Sequence, residues 1–94
     1  MKNFIYRVQD GQDLCEISQL LGVPSGLIIK LNGLEKDVVY GDLLYIEKPE
    51  TVIRVGINES SRTISKKYGV DEKRLLEYNG TNYFYYGQLI AICE

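Results

Sequence analysis

Two pairs of carboxylates stand close enough in the chain to act together, Asp10 with Asp13 and Glu35 with Asp37. Paired carboxylates are what acid–base cleavage of a glycosidic bond requires. Both pairs sit in Gly-containing breaks, however, where a carboxylate serves as a helix cap or a solvated loop residue. The chain contains no His, which removes the commonest general base and the commonest metal ligand. Cys15 and Cys93 cannot build a zinc site by themselves, nor do they form a disulfide framework. A Cys15–Cys93 bridge and two free thiols remain as alternatives, and an N-terminus without an apolar leader favours the thiols. No catalytic residue, metal or cofactor is expected. What remains is binding chemistry, carried by short loops in which glycine lets a ligand approach the backbone.

The elements that must position those loops come in duplicate. With Arg7 set over Arg54, a shift of 47 residues, Arg7/Arg54, Val8/Val55, Ile17/Ile64, Ser18/Ser65, Gly22/Gly69, Val23/Val70, Asn32/Asn79 and Gly33/Gly80 coincide. Beyond that point the shift is 46 residues, Tyr40 onto Tyr86, and Gly41/Gly87, Leu43/Leu89 and Ile46/Ile92 coincide. Two tandem copies of one unit follow, residues 1–47 and 52–94, with the polar, proline-containing segment 48–51 as a linker. Units this small bury little surface, so contact between them is expected.

Within the first copy, Phe4, Tyr6 and Val8 alternate with Ile5 and Arg7 as in a strand. Asp13 then caps a helix, with Glu16 placed to reach back, and Leu14, Ile17, Leu20 and Leu21 form its apolar face. Gly22 ends it. Pro24 suits the first turn of a second helix with Leu27, Ile28 and Leu31 inward, and Asn32-Gly33 closes that helix. A turn at Tyr40-Gly41-Asp42 leads into a strand at Leu43–Ile46. The second copy repeats the order. Its strand is Val52–Val55, and Ser60 or Ser61 caps a helix with Ile64 and Tyr68 inward. Asp71 caps the next, with Leu75, Leu76 and Tyr78 inward, and Leu89–Ile92 closes the copy. The fold class is α+β: two tandem βααβ units, each a two-stranded antiparallel sheet covered by two helices. Because the helices run out and back, the loop Asp10-Gly11-Gln12-Asp13 and the loop Asn32-Gly33-Leu34-Glu35 share one end of the unit.

Tyr6-Arg7-Val8-Gln9-Asp10-Gly11-Gln12-Asp13-Leu14, Ile17-Ser18, Gly22-Val23, Leu31-Asn32-Gly33-Leu34 and Gly41-Asp42-Leu43-Leu44-Tyr45-Ile46 together resemble the lysin-motif (LysM) domain. The match covers the whole first copy in order and spacing. The resemblance implies a βααβ fold and non-catalytic binding of N-acetylglucosamine-containing glycan, either peptidoglycan or chitin, in a shallow groove between the paired loops. The candidate glycan-binding residues are Asp10, Gly11, Gln12, Asp13, Asn32, Gly33, Leu34 and Glu35 in copy one. In copy two they are Asn58, Glu59, Ser60, Asn79, Gly80, Thr81, Asn82 and Tyr83. The family's Gly-Asp-Thr is Gly11-Gln12-Asp13 here and Asn58-Glu59-Ser60 in copy two, and Ser61 stands where Leu14 packs. A rearranged core is expected there, and copy two is the one expected to have lost binding if either has. Tyr83 is a candidate for stacking on sugar or for a protein contact, whereas Tyr86 and Phe84 align with Tyr40 and Val38 and are expected to pack.

Composition fits a binding module. A net charge of −2 and a pI near 5.1 offer no field for phosphate backbones or anionic lipid, so neither nucleic acid nor membrane is an expected partner. The alternative function is a structural or assembly protein of a spore, phage or cell envelope that keeps the fold and binds protein partners or itself. The resemblance points to a cell wall or spore location. The missing leader points to a cytoplasmic chain or a fragment of a secreted one.

Overall fold

The computed structural model describes residues 2–93; Met1 and Glu94, the outer bounds of the two expected copies, lie outside the described residues. The order is β1 (Lys2–Arg7), α1 (Leu14–Leu21), α2 (Ser25–Asn32), β2 (Leu43–Lys48), β3 (Val52–Arg54), α3 (Ser61–Tyr68), α4 (Glu72–Tyr78) and β4 (Leu89–Ala91). β1 pairs antiparallel with β2, Phe4 opposite Ile46 and Tyr6 opposite Leu44. β3 pairs antiparallel with β4, Ile53 opposite Ile90. A two-stranded sheet is unstable bare, and each sheet is covered by its own pair of helices around its own core. Val8, Ile17, Val23, Leu27, Ile28, Leu44 and Ile46 centre the first core, and Val55, Ile64, Leu75, Phe84 and Ile90 the second.

The helix boundaries follow from local chemistry. The Asp13 side chain accepts from the Glu16 amide at 2.8 Å, and Gly22 and Gly33 end their helices in the left-handed conformation. Glu16 does not complete a reciprocal cap. That arrangement is in copy two instead, where Ser60 Oγ accepts from the Thr63 amide at 3.3 Å and Thr63 Oγ1 accepts from the Ser60 amide at 2.8 Å. Pro24 stands one position before the first turn of α2, its carbonyl accepting from Leu27 and Ile28.

Three expected core positions, Leu20, Tyr68 and Tyr86, are at the surface. Leu20 is 65% exposed, because a helix of two turns seats only Leu14, Ile17 and half of Leu21 on its sheet, and Ser18 takes the remaining inward place with Oγ on the Val23 carbonyl at 2.6 Å. Tyr68 ends α3 with its ring turned out, the Lys67 ammonium 5.8 Å from the ring centroid. Tyr40 and Tyr86 each occupy the second place of a turn closed by a bond from Asp42 N to the Val39 carbonyl, or from Gln88 N to the Tyr85 carbonyl. Gly41 and Gly87 follow at φ 90° and 83°, so the tyrosine is at the outer corner and faces solvent. Phe84 is buried, as expected, and so is Val38 with which it aligns.

The two copies touch along a narrow seam. Gly26 of α2 lies against the backbone of Asn79 and Gly80, and a methyl group on Gly80 would come within 2.5 Å of the Gly26 carbonyl oxygen. Lys30 Nζ donates to the Glu77 carbonyl at 2.8 Å, and Tyr78 packs against both cores. Arg54 bridges on the other side to Gln19 Oε1 at 3.0 Å. Cys15 is exposed, Cys93 is buried, and both are free thiols.

Candidate functional site

The loop from β1 to α1 begins with a turn, Gln12 N donating to the Gln9 carbonyl at 3.2 Å and Gly11 at φ 80°. Gln12 is half-buried, and its Oε1 accepts from the Gln9 amide at 2.9 Å and from Tyr6 Oη at 2.7 Å. Copy two builds the same loop with different residues. Glu59 N donates to the Gly56 carbonyl, Glu59 Oε1 accepts from the Gly56 amide at 2.6 Å, and Asn58 takes the positive φ of 64°. Asparagine is among the few non-glycine residues that visit that region readily. Gln12 and Glu59 thus close their loops, and Asp13 and Ser60 cap the following helices. Asp10, Gly11 and Asn58 remain exposed at the loop corners.

Asn32 and Asn79 have their side chains turned into the fold. Asn32 Nδ2 donates to the Ile28 and Tyr45 carbonyls at 2.9 Å each, and Oδ1 accepts from the Tyr45 amide at 2.8 Å. Asn79, 1% exposed, does the same with Leu75 and Ala91. Each asparagine ties the end of the second helix to the last strand. In the loop after α2, Gly33 and Glu35 are exposed and Leu34 is half-buried.

One residue absent from the sequence-based set joins the two loops of copy one. Asp37 Oδ1 accepts from the Leu14 amide at 3.0 Å and from its neighbour Val38 at 2.7 Å, so the start of α1 is held beside the loop after α2. Beside that bond lies a shallow depression of about 310 Å³, floored by Leu14, Ile29 and Leu34 and rimmed by Glu35, Lys36 and Asp37. It continues past Gly33 toward Asp42. Of the expected residues, the depression gathers Gly33, Leu34 and Glu35. Asp10, Gly11, Gln12 and Asp13 do not line it; they belong to the adjoining loop. The only sequence signal for Asp37 was its pairing with Glu35.

Copy two has changed at the corresponding places. Ser61 and Thr81 stand where Leu14 and Leu34 make the floor. Ser61 Oγ donates to Glu72 Oε2 at 2.6 Å, and Thr81 Oγ1 accepts from the Tyr83 amide and donates to the Tyr83 carbonyl. Asn82 and Tyr83 are exposed, and Gly80 lies on the seam against Gly26. No group of His, Cys, Asp or Glu able to hold a metal ion occurs among the described residues, and none of their helices is singly long and apolar enough to cross a membrane.

The chain is similar in structure to the spore cortex-lytic enzyme SleL of Bacillus megaterium QM B1551, with a TM-score of 0.44 and 24% identity over 94% of this chain. It is also similar to the spore cortex-lytic enzyme SleL of Bacillus cereus, with a TM-score of 0.48 and 22% identity over 100% of this chain. It spans 22% and 23% of those two chains. No curated protein matches it in sequence. The model of the LysM domain matches residues 6–45 and again residues 53–83. Two matches in tandem, over two βααβ units with helix caps and loop closures in register, make this chain a member of the LysM family, whose domains bind N-acetylglucosamine-containing glycans such as peptidoglycan.

Proposed function

We propose that the chain is a non-catalytic glycan-binding protein with modules at 1–47 and 52–94 joined at 48–51. Copy one holds an N-acetylglucosamine unit of peptidoglycan or chitin between its paired loops. The observation that carries this reading is the depression beside the Leu14–Asp37 bond, where an apolar floor meets exposed backbone. An acetamido group has one methyl, one N–H and one carbonyl. Leu14, Ile29 and Leu34 suit the methyl, and the exposed main chain from Gly33 to Glu35 suits the amide. The adjoining loop of Asp10, Gly11, Gln12 and Asp13 stands beside the depression without lining it: Gln12 and Asp13 hold its shape, and exposed Asp10 and Gly11 meet sugar units of a longer glycan that extend beyond the depression.

Copy two contributes through Asn58, Glu59 and Ser60 on one loop and Gly80, Thr81, Asn82 and Tyr83 on the other, which buried Asn79 holds in place. Its floor is polar at Ser61 and Thr81, so its groove is the weaker one. Sedimentation of the whole chain with insoluble peptidoglycan and with chitin tests the function. The chain is expected in the pellet with at least one polymer and to be displaced by N-acetylglucosamine oligomers. A chain that stays in the supernatant with both overturns the reading. Concentration-dependent self-association in that case would support the assembly role instead.

A further inference from the structure

The free side of β1 is an open strand edge. The Tyr45 amide and carbonyl both go to the Asn32 side chain, so they point away from β1. In an antiparallel pair, residues directly opposite either exchange both main-chain bonds or exchange neither. Tyr45 lies opposite Ile5, so the Ile5 amide and carbonyl point away from β2. By the two-residue period of a strand, those of Asn3 and Arg7 share that edge. Gln9 Nε2 donates to the Arg7 carbonyl at 2.9 Å, and no other bond to this edge occurs among the described residues. The side chains of Asn3, Ile5 and Arg7 are exposed on the sheet face away from the core, beside exposed Leu43 and half-buried Tyr45. Natural edges are kept from pairing by shortness, proline, bulges or inward charge. β3 is protected in this way, with three residues and an Arg54 side chain that crosses to Gln19. β1 runs for six residues without proline or bulge and puts Ile5, 60% exposed, near its centre.

From this geometry we infer that β1 is the edge on which a second chain of this protein docks, β1 against β1 and antiparallel, so that the two sheets join in the order β2–β1–β1–β2. With Ile5 facing Ile5 across a two-fold axis, Asn3 of each chain faces Arg7 of the other, and each facing pair exchanges both main-chain bonds. An apolar strip, Tyr45–Ile5–Ile5–Tyr45, then runs unbroken over the outer face. Charge decides the occupant and its direction. A parallel strand in the same register sets Arg7 beside Arg7, and like charges directly opposite are destabilising. The antiparallel strand sets Arg7 beside Asn3, and one strand further lies Glu47, opposite Asn3 in its own sheet. Two strand spacings are about 10 Å, which an extended arginine and glutamate span over the short asparagine. Each chain thus gives its Arg7 to the other's Glu47, a reciprocal exchange that an unrelated peptide strand does not offer. Asn3, Ile5 and Arg7 do not line the copy-one depression, so pairing consumes none of its residues. A pair of chains carrying two such grooves would hold a polymer more tightly through effective concentration.

Dimerisation through β1 does not require the glycan-binding reading, and its test uses no sugar. The whole chain is followed by sedimentation velocity and amide hydrogen exchange from about 10 μM to about 1 mM. The expected result is a monomer–dimer equilibrium in which the amides of Asn3, Ile5 and Arg7 gain protection as the dimer forms. A monomer throughout, or a dimer in which those amides stay unprotected, overturns the inference. Ile5→Pro removes an outward N–H and no bond of the β1–β2 ladder, a place where an edge strand tolerates proline. It is expected to weaken association by about tenfold or more while the amide spectrum away from β1 is kept. Arg7→Glu, which sets a carboxylate toward Glu47, is expected to weaken association by about threefold, and Arg7→Glu/Glu47→Arg to restore it to within about twofold of the parent. Rescue by the exchanged pair is an outcome that a folding defect does not produce, so it decides the matter even where Ile5→Pro fails to fold. Association unchanged in Arg7→Glu, or no stronger in the double variant than in the single one, overturns the inference.

Discussion

Asn79 shows how much a single buried amide can carry. Its side chain satisfies two carbonyls and one amide at the place where α4 must meet β4. Replacement by alanine strands those groups away from water. Asn79→Ala is expected to cost about 2–4 kcal/mol, read as a lower urea midpoint, and half-buried Asn32→Ala to cost less. Asparagine before glycine at a helix end was legible in the sequence, but only as a terminator. That the amide reaches a strand more than ten residues later was not, because long-range pairing leaves no mark on local spacing. The departures at Gly11-Gln12-Asp13 and Asn58-Glu59-Ser60 prove equivalent for a similar reason. Gln12 and Glu59 offer the same oxygen to the same amide, and Gly11 and Asn58 both tolerate positive φ. Tyr45 gives a residue-scale pH effect. Its hydroxyl donates to Glu47 Oε1 at 2.9 Å, and that bond, then burial, then the carboxylate charge push the phenol above its ordinary value near 10. A raised value means the folded form holds the proton longer. The stabilisation is therefore whole below the ordinary tyrosine range and is lost as pH rises through it. Ultraviolet titration should find Tyr45 ionising late, and Glu47→Gln should bring it earlier.

Each short helix depends on its ends more than on its length. Helices of seven or eight residues do not persist alone in water, so caps and the apolar stripe decide whether they form. α3 carries the clearest case, with the reciprocal bonds of Ser60 and Thr63 at its start. Ser60→Ala is expected to lower stability by about 1 kcal/mol in thermal or urea unfolding, with the loss confined to copy two in amide exchange. The βααβ order, the caps at Asp13, Ser60 and Asp71 and the glycine stops were all readable from local pattern. Leu20 and Tyr68 were misplaced because helical periodicity names a face without saying how wide a sheet it has to cover. Tyr86 was misplaced because alignment between copies transfers a position, not its burial. It looked like packing by reference to Tyr40, and both stand at turn corners that face outward.

At the scale of the molecule, the seam at Gly26 turns two marginal units into one body with a Cα radius of gyration of 13.3 Å. A methyl group on Gly26 would run into the Asn79 carbonyl. Gly26→Ala therefore sets two effects against each other. Within α2 alone, alanine is the better helix former by up to about 1 kcal/mol. Across the seam it forces the copies apart. Small-angle scattering is expected to show a radius of gyration above that of the parent, while the amide spectrum of each copy away from the seam is kept. The repeat was legible from the sequence, and contact between copies followed from their small size, but the point of contact did not. Gly26 is unmatched between the copies, and only the close approach of α2 to the backbone just past α4 reveals what its missing side chain is for.

That mismatch gives the pair a direction. Lys73 of copy two stands where copy one has Gly26, and Gly80 has its own twin in Gly33. A unit of the first type could therefore stack onto another of its kind, glycine to glycine, and extend a row. One of the second type accepts a neighbour on its Gly80 side but offers a lysine where the next would have to nest, so any array built by this stacking ends with it.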